Sequence, residues 1–145
     1  PRVKRKDALA AGLRSAGAEV EAVEVTRTIA GPPEPRDRDG AALASGAYSW
    51  LIVSSPRTLA HIDLTGLPAA TGLAIVGAAT ARFVERALGR GADLVATGSS
   101  AALLELEPLS TGPEPGATGA ARRILLPGSA LRGTALIDGL SATGW

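Results

Sequence analysis

Two segments of this chain leave little freedom to the fold: Leu51-Ile-Val-Ser-Ser-Pro-Arg-Thr58 and Leu73-Ala-Ile-Val-Gly-Ala-Ala-Thr-Ala-Arg-Phe83. In each, an apolar run gives way to glycine or small hydroxylated residues, after which helix formers resume. An apolar run without polar alternation reads as a strand buried on both faces, the mark of a parallel sheet. The break that follows is where such a strand hands over to a helix N-terminus, the end at which α/β proteins place ligands. Two of these ends side by side make half of a binding cleft.

The rest of the chain extends the same grammar. Residues 6–16 set Leu9, Leu13 and Ala16 on one helical face, and Gly17 is expected to stop that helix. Residues 19–25 alternate Val20, Val23 and Val25 with charges and read as a strand. Residues 31–40, Gly-Pro-Pro-Glu-Pro-Arg-Asp-Arg-Asp-Gly, are expected to be neither helix interior nor central strand. Their prolines fix φ and remove donors, so a linker or domain crossing is the reading. A short helix over 41–45 then leads into a strand over 50–54. Further on, the pattern predicts helix at 58–64, strand at 73–76, helix at 80–88 with Val84, Ala87 and Leu88 inward, and strand at 92–96. A helix through Leu106 capped by Ser99 or Ser100, a mobile stretch at 108–121, a strand at 124–126 and a helix at 134–142 complete the chain. After residue 40 this is a strand–helix alternation with about four strands, which argues a parallel three-layer α/β unit.

Composition excludes several chemistries. The 145 residues suffice for one ordinary domain or most of two small ones, and 46% hydrophobic content is globular. Aromatics make up only 3%, so the core must be aliphatic. There is no cysteine, which removes disulfides, thiolate metal sites and cysteine nucleophiles. A net charge of +1 argues against whole-surface attraction to nucleic acid, and no aromatic-interleaved basic stretch suggests RNA or single-stranded DNA. The cluster Arg2, Lys4, Arg5 and Lys6 reads either as a solvated helix start or as a local attraction for an anionic ligand. No apolar run approaches the ~20 residues that span a bilayer, and no secretory pattern opens the chain, so a cytoplasmic soluble protein is expected. The absence of methionine, with no strand before the first helix, suggests a piece of a longer protein.

Candidate site residues gather at the strand ends. Ser54 and Ser55 follow the Leu51-Ile-Val53 run, with Ser55 a plausible N-cap and Pro56 pre-organised for the first helical position. Capping alone accounts for Ser55; a second reading is that uncapped amides and the helix dipole favour a carboxylate there. Arg57 is either a ligand-carboxylate contact or an ordinary solvated arginine. Gly77 permits close backbone approach, and Thr80 either caps its helix or offers a hydroxyl to a ligand. Gly98-Ser99-Ser100 and Gly128-Ser129 repeat the theme at two further ends. Four such ends suit a polycarboxylate held by many amides. Dinucleotide and triphosphate fingerprints are missing. His61, the sole histidine, lacks partner spacing for a metal or a catalytic triad. Tyr48, Trp50 and Trp145 read as packing residues.

These same segments resemble the uroporphyrinogen-III synthase family. Residues 51–57 look like its apolar-Thr/Ser-Ser motif, and Val76-Gly-Ala-Ala-Thr-Ala81 looks like its Val-Gly-x-x-Thr-Ala motif. Thr97-Gly98-Ser99 with Leu103-Leu104, and Ile124-Leu-Leu-Pro-Gly-Ser129 with Leu136 and Gly139-Leu140, fall in the family's order. The opening residues and Gly17-Ala-Glu-Val20 resemble its first βαβ unit without the leading strand. The resemblance implies a bilobal α/β protein with flavodoxin-like parallel sheets flanked by helices: residues 1–30 a partial first lobe, 31–40 the inter-lobe linker, and 41–145 the second lobe. It implies cofactor-independent cyclisation of hydroxymethylbilane by a monomer bound to neither nucleic acid nor membrane. By position, Thr80 matches a cleft-facing threonine with a catalytic part, and Ser55 the adjoining serine; Gly77, Ser54, Ser99 and Ser129 match substrate-near positions. The family's tyrosine, thought to assist hydroxyl departure, would lie beyond Trp145, so this stretch alone is expected to be an incomplete catalyst. Two other readings stay open: a synthase-like regulatory ligand-binding domain, and a generic flavodoxin-like interaction module.

Overall fold

The computed structural model describes residues 8–21, 23, 29–129 and 133–145. It divides into two compact units, Pro1–Ala30 and Gly31–Trp145. In the first, helix α1 spans Ala8–Ser15. It ends where Gly17 takes φ +86°, with the Gly17 and Ala18 amides donating to Arg14 and Leu13 carbonyls. Along the face that carries Leu9 and Leu13, Leu9 is 71% exposed and Leu13 is exposed too, while Ala10 is buried. Residues 19–21 and 23 belong to no strand, and the remainder of the strand expected over 19–25 lies outside the described residues.

The second unit opens with a correction. Residues 31–40 were expected to exclude a helix, yet helix α2 runs over Pro33–Ala44 and absorbs the short helix expected at 41–45. The prolines do not forbid it, because Pro33 and Pro35 sit in the first turn, where backbone N–H groups have no intrahelical acceptor to lose. Of this helix, Leu43 is the buried residue.

Four parallel strands follow: β1 Trp50–Val53, β2 Gly72–Val76, β3 Leu94–Ala96 and β4 Ile124–Leu125. Their order across the sheet is β3-β2-β1-β4. Leu51 pairs with Leu73 on one side and with Leu125 on the other, and Ile75 pairs with Val95. Alternation divides the side chains into two cores. Leu51, Val53, Leu73 and Ile75 meet Leu43 of α2 and Val84 of helix α3, Ala78–Leu88. Ile52, Ala74 and Ala96 meet Leu103, Leu109, and Leu136 and Leu140 of helix α4, Ala135–Ala142. Helices therefore cover both faces of the sheet, and the three-layer expectation is met.

The change of face has a reason in connectivity. From β1 to β3 the chain steps one way across the sheet with its connections on the first face. It then returns past β2 and β1 to β4 with its connection on the second face. A constant crossover hand requires a change of face when the stepping direction reverses.

Smaller elements differ from expectation. The helix expected at 58–64 is a 3-10 turn over Pro56–Ala60, and the one expected after Ser99 is a 3-10 turn over Ser100–Glu105. Ala87 is exposed on α3, though Val84 is buried and Leu88 half-buried. The stretch expected to be mobile at 108–121 is a run of hydrogen-bonded turns anchored by the fully buried Leu109. The Thr143 hydroxyl donates to the Leu109 carbonyl at 3.2 Å, and Arg122 donates twice to the Gly144 carbonyl, at 2.8 and 3.2 Å. Among the described residues no helix is long and apolar enough to cross a membrane.

Candidate functional site

Because the strands are parallel, all four C-terminal ends emerge at one edge of the sheet. Across that edge they run in the order residues 97–99, Gly77, Ser54-Ser55 and 126–129. With strands about 4.8 Å apart the row is about 14 Å long. The reversal of direction falls between β1 and β4, the crevice where open α/β sheets bind ligands.

At the β1 tip, Ser55 is extended (φ −155°) and its Oγ accepts the Arg57 amide at 3.3 Å. The expected cap is there, over a 3-10 turn of five residues. Ser54 is exposed, and so is Arg57. The β2 tip is built differently. Gly77 takes φ +86°, and its amide donates to the Ala96 carbonyl at 2.8 Å, extending the ladder one step past β3. Helix α3 then begins at once, with Gly77 as its N-cap and no side-chain cap. The Ala81 amide is the first to return into the helix, onto the Gly77 carbonyl at 3.0 Å. The amides of Ala78, Ala79 and Thr80 thus form the open end of the helix dipole at this edge.

Thr80 does not cap the helix, contrary to one of its two readings. It is 6% exposed, and among the described residues no hydrogen bond engages its hydroxyl. A Cβ placed on Gly77 would lie 3.9 Å from Thr80 Oγ1, so the hydroxyl faces the glycine turn at the mouth of the tip. A donor held this way, beside three uncapped amides, is suited to an anionic or carbonyl oxygen.

The β3 tip turns on Gly98 (φ +85°), and Ser99 is extended and exposed with no side-chain cap bond. Ser129 is exposed beyond β4. The seven residues singled out from the sequence therefore share one edge, although Ser99 and Ser129 stand at opposite ends of the row. Sequence reasoning missed the amides of Ala78 and Ala79, whose contribution has nothing to do with their side chains. The signal was available: an apolar run passing through one glycine into a helix, with no Ser, Thr, Asp or Asn at the junction.

Charge is scarce at this edge. Of residues 54–57, 77–80, 97–100 and 126–129, Arg57 alone carries one. The shifted titration among the described groups lies elsewhere: the Thr65 amide and hydroxyl, donating to Asp63 Oδ1 at 2.9 and 2.7 Å, hold that carboxyl below its ordinary range. His61 is half-buried, and the described residues contain no cluster able to hold a metal ion. A shallow groove of about 280 Å³ between Leu64, Leu67, Ala87, Leu88 and Arg90 opens at the opposite end of the sheet, away from the tips.

A family model described as uroporphyrinogen-III synthase HemD matches residues 7–145. No curated protein matches the chain, and no solved structure does.

Proposed function

This chain belongs to the uroporphyrinogen-III synthase family, and from that premise we propose that its row of strand tips is the wall on which hydroxymethylbilane is cyclised to uroporphyrinogen III. In this reading the reaction needs no cofactor. The linear tetrapyrrole loses its hydroxyl, leaving an azafulvene. Ring D attacks through its substituted carbon, and the resulting spiro intermediate fragments and recloses with that ring inverted. Left alone, the same azafulvene closes without inversion. The protein's contribution is therefore geometric: it holds a flexible polyanion so that one closure is reached and the competing one is not.

The tips supply donors for such a task. The first-turn amides of α3 and the helix dipole suit a carboxylate. Thr80 adds a hydroxyl facing the same opening, and we assign it the catalytic part of orienting an oxygen of the reacting substrate. Ser54, Ser55, Gly77 and Arg57 extend the wall toward β1, and Ser99 and Ser129 bound it on either side. Residues 41–145 would then be the second lobe of a bilobal enzyme, 1–30 part of the first, and 31–40 the joint, with the protein acting as a cytoplasmic monomer.

The observation that carries this reading is the unengaged hydroxyl of Thr80, on a residue only 6% exposed, beside an uncapped helix end on a chain matched almost throughout by the family model. The test is product identity. Full-length protein is incubated with hydroxymethylbilane, and the oxidised products are separated by isomer. Type III product in excess of the spontaneous reaction is expected. Type I product alone, at the uncatalysed rate, overturns the assignment.

A further inference from the structure

A protein that generates an azafulvene has to survive it. The exposed methylene carbon of that species is electrophilic, and an activated nucleophile within reach would close on it before ring D does. Residues 54–57, 77–80, 97–100 and 126–129 include no cysteine, lysine, histidine, methionine, aspartate or glutamate. The chain's two lysines, Lys4 and Lys6, precede the second unit, and its one tyrosine, Tyr48, precedes β1 at the opposite edge of the sheet. His61 is half-buried at the far end of the 3-10 turn. No side chain at the tips can serve as the base that turns a serine or threonine hydroxyl into a nucleophile. An electrophile can rest against this wall unharmed.

The two central tips offer it different things. At the β2 tip, the open first turn of α3 and the Thr80 hydroxyl suit a carboxylate arm. The β1 tip has no comparable end: its 3-10 turn is five residues long, and the Arg57 amide already donates to Ser55 Oγ at 3.3 Å. What it presents instead is Ser54, an exposed neutral hydroxyl that no hydrogen bond engages among the described residues. Ser54 also stands beside the crevice where the strand order reverses. We propose that the hydroxymethyl end of the bilane lies at the β1 tip, its reacting carbon against Ser54, with a carboxylate arm of the same end held one strand away, about 4.8 Å, on α3. This rests on the synthase reading and adds to it which end of the substrate sits where.

Ser54→Cys turns the contact into a covalent record. The C–O bond of the hydroxymethyl group breaks, a C–S bond forms to its carbon, and the thiol proton leaves with the hydroxyl as water. The protein gains the mass of the bilane less one water. Full-length wild type, Ser54→Cys, Ser54→Ala, Ser99→Cys and Ser45→Cys are each incubated with hydroxymethylbilane, denatured and weighed, and adducts are located by peptide mapping. Ser45 is the reference for alkylation from solution, an exposed position at the end of α2, ahead of β1. Ser54→Cys should be alkylated about tenfold faster than Ser45→Cys or more, because a held carbon meets the thiol at a far higher effective concentration than a free one. Ser99→Cys, two strands along the row, should react no faster than the reference. Type III output of Ser54→Cys should decay as its adduct accumulates, a decay absent from Ser54→Ala. Capture at position 54 no faster than at 45 or 99 overturns the placement, whether or not type III product forms. Selective capture in a protein that makes no type III product keeps the placement and overturns the synthase reading, so the two fail separately.

Discussion

At the scale of single residues, Thr80 carries the sharpest expectation. Its hydroxyl meets no partner among the described residues, so removing it should leave the fold nearly untouched. A hydrogen bond made only to substrate is worth about 0.5–1.5 kcal/mol. Thr80→Val, which keeps the buried methyl and the volume, should therefore lower kcat of the full-length protein about two- to tenfold, with its melting temperature preserved. Thr80→Ala should act in the same direction. Unchanged turnover, or loss of the fold in the valine variant, would contradict the assigned role. Asp63 offers a different check. Hydrogen bonds from Thr65 favour its charged form, which places the folded pKa below the unfolded one. Its stabilisation of the Asp63–Thr65 turn is thus fully present above the ordinary carboxylate range of about 4 and is lost as pH falls through the lowered value. A carboxyl titration followed by NMR should place the Asp63 midpoint below the ordinary aspartate value of about 3.9; a midpoint at or above it refutes the account.

Between elements, the glycines separate two kinds of constraint. Gly112 (φ +87°) and Gly116 (φ +83°) both hold left-handed backbone, but a Cβ on Gly112 would run into the Thr143 carbonyl, while one on Gly116 meets nothing. Alanine at 116 should cost about 1–2 kcal/mol from conformation alone. Alanine at 112 should cost about 2–4 kcal/mol, because it also pushes the 108–112 turn off the end of α4. Equal shifts of the two denaturation midpoints would show that this turn is not fastened to α4. That fastening was invisible in the sequence: the Pro, Gly, Ser and Thr content of 108–121 predicts motion, and only the burial of Leu109 and the bonds from Thr143 and Arg122 oppose it. The strands were legible for the contrary reason. Leu51-Ile-Val53 and Leu73-Ala-Ile-Val76 are buried on both faces, so their local composition already reports their tertiary setting. Helix α2 was missed because two prolines count against a helix everywhere except in its first turn, and composition does not say where that turn begins.

For the molecule as a whole, the strand tips were recognisable one at a time, but their gathering was not. The jump of β4 back to the far side of β1 is what puts Ser129 beside the Ser54-Ser55 end, and no local pattern encodes that order. Once gathered, the tips present amides and hydroxyls, with Arg57 the one charged side chain among residues 54–57, 77–80, 97–100 and 126–129, on a chain whose formal net charge is only +1. A polyanion steered by a field of surface lysines and arginines binds progressively worse as salt rises, since exposed charges are screened beyond about 10 Å at 0.1 M. Contacts to uncharged amides and hydroxyls do not rest on a screened surface charge in this way. If the substrate is held as proposed, KM of the full-length enzyme should change less than about threefold between 0.05 and 0.5 M salt. Arg57→Gln should remove most of that residual slope while raising KM more than it lowers kcat, because an exposed cation at the rim binds substrate and product-forming states alike. A tenfold or steeper rise of KM with salt, persisting in Arg57→Gln, would mean that cations outside this edge hold the substrate, and the strand tips would lose their claim to be the binding wall.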